Sequence, residues 1–315
     1  MNFIEQAYKG KNEWWRYLLT IMVVFLGWQL LGVIPLFMVA FNQSDDLGEL
    51  MASSQNAFAD LGIDSNLYLF AILLMFVMGL LALLFSVKQI HLRSITSLIT
   101  SRQQIDWNRI FYGFGFWFLV SVVFLAIDYW MTPDHFVYNF KPLPFAILVV
   151  VAFVFIPLQT SFEELLFRGY LMQGIGILFK SAAVPFLFTS IGFGLMHAFN
   201  PEIEKLGYII LIYYIGTGFL FGIVTLMDEG SELALGMHAA NNIVAAVFVT
   251  VNWAAFQTEA LFKDISEPSL SMYMFLPVFI VYPMVILFFS KKYGWSNWKD
   301  KLFGRISQAP GSDES

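Results

Sequence analysis

Apolar runs long enough to cross a lipid bilayer are the feature that most limits what this chain can fold into. A helix that crosses the ~30 Å hydrocarbon core needs about 20 mostly apolar residues. Eight such runs occur, and the predicted spans are 17–41, 67–87, 110–130, 144–171, 182–199, 207–227, 233–252 and 271–290. The sequence therefore predicts an all-α polytopic membrane protein of about eight transmembrane helices, because helices satisfy their own backbone hydrogen bonds in lipid.

The composition excludes several other classes of protein. Of the 315 residues, 58% are hydrophobic and 13% are charged, whereas about a quarter of a soluble domain is charged. Cysteine is absent, which rules out disulfides, thiolate metal sites and a cysteine nucleophile. Nothing in the sequence indicates nucleic-acid binding, so the partner that the composition predicts is the lipid bilayer.

The distribution of Lys and Arg predicts the orientation. Thirteen of the seventeen fall on one side of the predicted spans: Lys9, Lys11, Arg16, Lys88, Arg93, Arg102, Arg109, Lys180, Lys291, Lys292, Lys299, Lys301 and Arg305. Only Lys141, Lys205 and Lys263 fall on the other side. By the positive-inside rule both termini are cytoplasmic. We expect one transmembrane domain over residues 1–302, a disordered cytoplasmic tail over 303–315, and a place in a bacterial cytoplasmic membrane.

Ionisable and amide side chains inside the predicted spans are the candidates for function, because such groups are costly in a membrane. The set comprises Glu163, Glu164, Arg168, His197, His238, Asn241 and Asn242. It defines a candidate core over about 144–252. Glu164 and Arg168 have the i, i+4 spacing of a helical ion pair. Glu163 is rotated from Glu164 by about 100°, so it faces elsewhere.

Each of these groups also has a purely structural interpretation. Glu164 and Arg168 are compatible with a buried ion pair, and a histidine or asparagine in a span is often an interhelical hydrogen bond. Together, however, they are more polar groups on three spans than packing requires. A carboxylate, imidazoles and an amide donor are the parts of a hydrolytic site. If the fourth and fifth spans form a hairpin that turns near Lys180, Glu163 and His197 lie at the same level, because each is seventeen residues from it.

Three short motifs give the chain a family resemblance. "EELLFR" fits E-E-x-x-x-R, "FGLMH" fits F-x-x-x-H, and "HAANN" fits H-x-x-x-N. With these motifs in separate spans, the chain resembles the CAAX-protease and bacteriocin-processing family of intramembrane proteases (CPBP, or Abi). The eukaryotic relatives of that family are the type II CAAX prenyl endopeptidases. The resemblance covers the fourth to seventh spans.

The resemblance implies an endopeptidase that hydrolyses a peptide bond of a membrane-associated or prenylated protein or peptide. Glu163 would be the general base that activates water, and His197 would orient that water or share the proton transfer. His238 and Asn242 would stabilise the oxyanion of the tetrahedral intermediate. Glu164 and Arg168 would support Glu163 or contact the substrate.

Three alternatives stay open at the level of sequence. Glu163, His197 and His238 would make the three protein ligands of a catalytic zinc ion, in which case Glu164 would be the base. Of the two mechanisms we expect the metal-free one. A non-catalytic bacteriocin-immunity factor or scaffold would use the same fold only to bind. A proton-coupled transporter is disfavoured, because we find no inverted repeats.

Overall fold

A computed structural model of the chain is mostly helical, and it describes residues 1–251, 253, 257–270 and 272–307. The helices, in chain order, are α1 (Trp14–Gln43), α2 (Leu47–Ser53), α3 (Ser65–Gln89), α4 (Ile95–Ile99), α5 (Trp107–Met131), α6 (Pro142–Phe179), α7 (Ala183–Phe199), α8 (Pro201–Leu206), α9 (Tyr208–Asp228), α10 (Glu232–Val247), α11 (Tyr282–Tyr293) and α12 (Trp298–Phe303). A π-helical turn, Pro277–Val281, leads into α11.

Five of these helices are long and apolar enough to cross a membrane: α1, α3, α5, α6 and α9. The chain is therefore a polytopic membrane protein. The other three predicted spans coincide with the shorter helices α7, α10 and α11. With 16 residues, α10 is about 24 Å long at 1.5 Å per residue, which is less than the ~30 Å hydrocarbon core. The count of eight spans stays a prediction.

A small three-stranded sheet accompanies the helices, so the predicted all-α fold is confirmed as a mostly helical one. Strands β1 (Phe136–Tyr138), β2 (Val249–Val251) and β3 (Phe262–Asp264) pair in the order β1-β3-β2. β1 is antiparallel to β3, and β2 is parallel to it. The predicted span 233–252 therefore covers a helix and then a strand. Hydropathy does not separate the two, although the sequence Val-Thr-Val is rich in the β-branched residues that strands favour.

Helix α6 carries the two glutamates, and it forms the predicted hairpin with α7. It is 38 residues long, has Pro157 in its interior, and contains a π-helical stretch over Leu165–Leu171. The helix ends at Phe179, and Lys180 follows with the left-handed φ of 49°. Because α7 begins at Ala183 and packs against the end of α6, the turn at Lys180 is confirmed.

The helices that surround α6 set the position of the candidate site. α7 packs against α9, and α10 packs against α5 and α6. The polar stretch of α6 therefore has α7 and α9 on one side and α10 on another.

The two ends of the described chain lie together. The Tyr8 hydroxyl donates to the carbonyl of Ser307 at 3.0 Å, and the Ile306 amide donates to the carbonyl of Lys180 at 3.1 Å. Residues 303–307 of the predicted tail thus have contacts with the helical body. Residues 308–315 lie outside the described residues.

Candidate active site

Glu164 and Arg168 form an ion pair in the interior of the protein. Both side chains are completely buried, and Nη1 of Arg168 lies 3.0 Å from Oε1 of Glu164. Nη2 of Arg168 donates to the carbonyl of Gly218 in α9 at 3.2 Å. The guanidinium also lies 4.2 Å from the centre of the Phe193 ring. A buried charge needs this many partners because it has lost its hydration.

His238, from α10, lies between the two glutamates. Its Nδ1 is 2.8 Å from Oε1 of Glu164, and its Nε2 is 3.4 Å from Oε2 of Glu163. Oε1 of Glu164 already accepts from Arg168, so the hydrogen bond with His238 is donated by Nδ1, which carries a proton. A hydrogen bond between Nε2 and Glu163 then requires one further proton on either partner.

Aromatic rings hold the two histidines at the same level. Phe221 stacks on His238 with ring centres 5.1 Å apart, and Phe193 touches the edge of His238 and also lies 5.1 Å from His197. Tyr214 stacks on His197 at 4.3 Å. Nδ1 of His197 lies 2.9 Å from the Phe193 carbonyl. A carbonyl only accepts, so the proton is on Nδ1, and Nε2 of a neutral His197 keeps its lone pair.

A small cavity joins Glu163 to His197. Its volume is about 30 Å³, and its lining comprises Trp28, Phe162, Glu163, Leu166, Phe167, Phe193, Met196 and His197. A water molecule needs only about 10–15 Å³ of such space. The Glu163 carboxylate, the His197 imidazole and the indole N–H of Trp28, which has no hydrogen-bond partner, are the polar groups among these lining residues. Trp28 belongs to α1, which sequence reasoning did not connect with the site.

Asn242 reaches Glu163 only through another amide. Its Nδ2 donates to Oε1 of Gln159 at 3.2 Å, and the side chain of Gln159 in turn lies beside the Glu163 carboxylate. Asn241, which the helical spacing turns away from Asn242, donates from Nδ2 to Oδ1 of Asn242 at 3.1 Å. The sequence analysis missed Gln159, although its position four residues before Glu163 on one helix face was a usable signal.

The residues do not fit the three-ligand zinc site that was left open. Within the described part of the chain, no group of three or more Asp, Glu or His side chains is arranged to hold a metal ion. Nε2 of His238 lies beside Glu163, but these two and His197 do not form a group that could hold a metal ion. We therefore derive no step through a metal.

The fold and the site define a class of protein: a polytopic membrane protein with buried carboxylates and imidazoles clustered among its helices. The comparisons with known proteins give the family. The chain belongs to the CPBP family, and residues 142–244 match the model described as type II CAAX prenyl endopeptidase Rce1-like. It is similar to the uncharacterized protein YyaK of Bacillus subtilis (strain 168), with 33% identity over 258 residues, 79% of this chain and 83% of that protein. No solved structure matches the chain.

Proposed function

We propose that this protein is an intramembrane endopeptidase in which Glu163 activates a water molecule to hydrolyse a peptide bond. The observation that carries the proposal is the water-sized cavity between Glu163 and His197, lined otherwise by Trp28 and apolar side chains. A water molecule held there would have a carboxylate that accepts its proton and an imidazole nitrogen that accepts its second hydrogen. Apolar walls exclude competing solvent, which strengthens electrostatic interactions within the site.

The proposed reaction begins with attack of the water oxygen on the carbonyl carbon of the scissile bond. Glu163 accepts the water proton in this step, as a general base positioned within hydrogen-bond reach. The carbonyl oxygen becomes an oxyanion in a tetrahedral intermediate. Transfer of a proton to the amide nitrogen, from Glu163 or from the imidazolium of His238, then allows the carbon–nitrogen bond to break. The products are a carboxylate and an amine.

Asn242 and His238 are the proposed stabilisers of the oxyanion. The amino group of Asn242 has two hydrogens, and the bond to Gln159 uses one of them. The second is available to the substrate. Losing one oxyanion donor typically costs about 10²–10³ in rate. Glu164 and Arg168 are buried behind His238, so their proposed role is to hold the imidazole and not to contact the substrate.

The proposed substrate is a membrane-associated or prenylated peptide or protein. The family description names prenyl endopeptidases, and a relative is bacterial. A bacterial cytoplasmic membrane with both termini inside is the proposed location, in agreement with the distribution of Lys and Arg.

The experiment is a cleavage assay on the purified protein in liposomes. Two fluorogenic probes would be used, a peptide that ends in a prenylated CAAX sequence and the same peptide with a transmembrane anchor. Glu163→Gln keeps the shape of the side chain but cannot act as a base, so turnover should fall by about 10²–10⁴. Glu204→Gln, at an exposed position, is the matched control and should be unchanged.

Two results would argue against the proposal. Wild-type turnover by Glu163→Gln with Glu164→Gln inactive would reverse the roles of the two glutamates. Binding of both probes by the wild-type protein without cleavage would favour the alternative of a non-catalytic binding protein.

A further inference from the structure

A chain of hydrogen bonds connects three helices and ends at Glu163. Nε1 of Trp117, in α5, donates to Oδ1 of Asn241 at 3.2 Å. The chain continues from Asn241 to Asn242, both in α10, and then to Gln159 in α6, whose side chain lies beside the Glu163 carboxylate. Trp117 is 5% exposed and Gln159 is 3% exposed. These polar groups are therefore largely shielded from solvent.

The two ends of the chain fix the orientation of every amide between them. An indole N–H can only donate, so Asn241 must turn its oxygen toward Trp117. Its amino group then donates to the oxygen of Asn242, and the amino group of Asn242 donates to the oxygen of Gln159. Gln159 is left with its amino group toward Glu163, whose carboxylate, when ionised, can only accept.

Packing between helices does not require a series of linked side-chain hydrogen bonds. Other buried hydroxyl groups in these helices are satisfied by their own backbone, as in the bond of Thr160 to the carbonyl of Ile156 at 3.1 Å. Here hydrogen bonds between side chains join α5 to α10 and α10 to α6, and the series ends beside the proposed general base. If Trp117 were absent, Asn241 would lose the donor that fixes its oxygen, and the orientation of Asn242 would depend on Gln159 alone.

We propose that Trp117, Asn241 and Gln159 are positioning residues that turn the amino group of Asn242 toward the substrate oxyanion and hold the Glu163 carboxylate. This inference rests on the proposed peptide hydrolysis and adds residues outside the three motifs. A flipped Asn242 would present a carbonyl oxygen to a developing negative charge. That arrangement repels the transition state more than the bound substrate, so the effect falls on kcat and not on KM.

The first arm of the test is independent of activity. The protein is labelled with ¹⁵N-tryptophan in detergent micelles, and Trp117→Phe identifies one indole N–H signal among those of the nine tryptophans. Asn241→Leu should move this signal, because its acceptor is lost. Asn241→Asp should leave the indole hydrogen bond in place, because a carboxylate still accepts from Trp117. A Trp117 signal that is insensitive to Asn241→Leu overturns the inference.

The second arm measures kcat and KM with the prenylated CAAX peptide in liposomes. Asn241→Asp cannot donate to Asn242, so kcat should fall by about tenfold or more with KM unchanged, the size expected for a hydrogen bond to a charged group. Gln159→Met and Trp117→Phe should also lower kcat.

A double variant tests whether Trp117 acts through Asn241. Trp117→Phe should have no further effect on kcat when Asn241→Leu is already present, because the hydrogen bond between residues 117 and 241 is then already lost. An equal effect in both backgrounds indicates a structural role and overturns the inference.

Two control variants separate local from general effects. Trp130→Phe changes a tryptophan that is 81% exposed, and Gln89→Met changes an exposed glutamine at the end of α3. Neither should alter kcat. If the wild-type protein cleaves neither peptide, the proposed function fails with these substrates, and the indole signal alone decides whether the directional chain exists.

Discussion

At the scale of single residues, two adjacent glutamates have different surroundings. Glu164 is completely buried, and it contacts both Arg168 and His238. The side chain of Glu163 is 18% exposed and lines the small cavity. The difference follows from their angular separation of about 100° on a helix. One carboxylate is committed to charge balance, and the other has an open side.

Thermal stability should separate these two glutamates. Glu164→Ala leaves the buried Arg168 without its carboxylate, and a stranded buried charge costs about 3–5 kcal/mol. Arg168→Ala should cost less, because His238 can still balance Glu164. Glu163→Ala should not lower the melting temperature in detergent, because a neutral His238 remains. A melting temperature that falls as far with Glu163→Ala as with Glu164→Ala would contradict this division.

Protonation of His91 should make the protein less stable at acidic pH. The side chain is 1% exposed, its Nδ1 lies 2.8 Å from the Lys11 carbonyl, and its Nε2 lies 2.9 Å from the Tyr170 hydroxyl. Burial lowers the pKa of His91 below the ordinary 6.5, the bond to Lys11 opposes this, and Arg93 and Arg16 add to the lowering. As the pH falls below 6.5, the unfolded chain binds a proton at His91 before the folded protein does, so the free energy of unfolding falls.

The measurement is the melting temperature in detergent between pH 8 and pH 5. His91→Gln keeps hydrogen-bonding capacity without a titratable ring, so it should reduce the loss of stability toward pH 5. His135→Gln, at an exposed loop position, is the matched control. Equal pH profiles for His91→Gln and the wild-type protein would show that His91 does not contribute.

The candidate site was only partly predictable from the sequence at this scale. The motif spacing locates Glu163, Glu164, Arg168 and the histidines, because i, i+4 relations on a helix are local. The contribution of Trp117 depends on α5 meeting α10, which no local pattern encodes. Adjacent positions on a helix are about 100° apart, yet side-chain torsions allow the amides of Asn241 and Asn242 to meet.

At the scale of elements, close helix crossings bring the site together. Gly218 of α9 lies directly against the Ser190 backbone of α7, and its carbonyl accepts from Arg168. Small residues permit such approaches between membrane helices. The π-helical stretch in α6 begins immediately after Glu164, and π turns are often found at functional sites.

Gly218→Ala should separate α7 from α9. The added methyl group would collide with the Ser190 carbonyl oxygen, and overpacking of this kind costs about 1–3 kcal/mol. We expect a lower melting temperature and reduced cleavage, because the Arg168 contact with this backbone would shift. Gly115→Ala in α5 is the matched control, since a methyl group there meets nothing within 4 Å. Similar losses for both variants would point to a general effect of replacing helical glycines.

At the scale of the whole molecule, a charged cluster ties together helix ends on the side of the termini. Asp228, at the end of α9, contacts Arg102 and Arg109, and Arg102 also lies 3.2 Å from Glu232 at the start of α10. Both arginines belong to the set of Lys and Arg residues from which the orientation of the protein in the membrane was predicted. Hydropathy located the helices, but it gave no sign of this cluster or of the small sheet, because both depend on contacts between segments distant in sequence.

The orientation can be tested with single cysteines, because the natural chain has none. The described termini contact one another, which requires an even number of crossings, and β1 follows α5 at the end of that helix away from Arg109. Val137, in β1, is 47% exposed, and Lys299 is exposed in α12. In whole cells a membrane-impermeant maleimide should label Val137→Cys. It should label Lys299→Cys only after the membrane is opened. Labelling of both variants in intact cells, or of neither, would place β1 and α12 on the same side of the membrane. That result would contradict the predicted orientation with both termini in the cytoplasm.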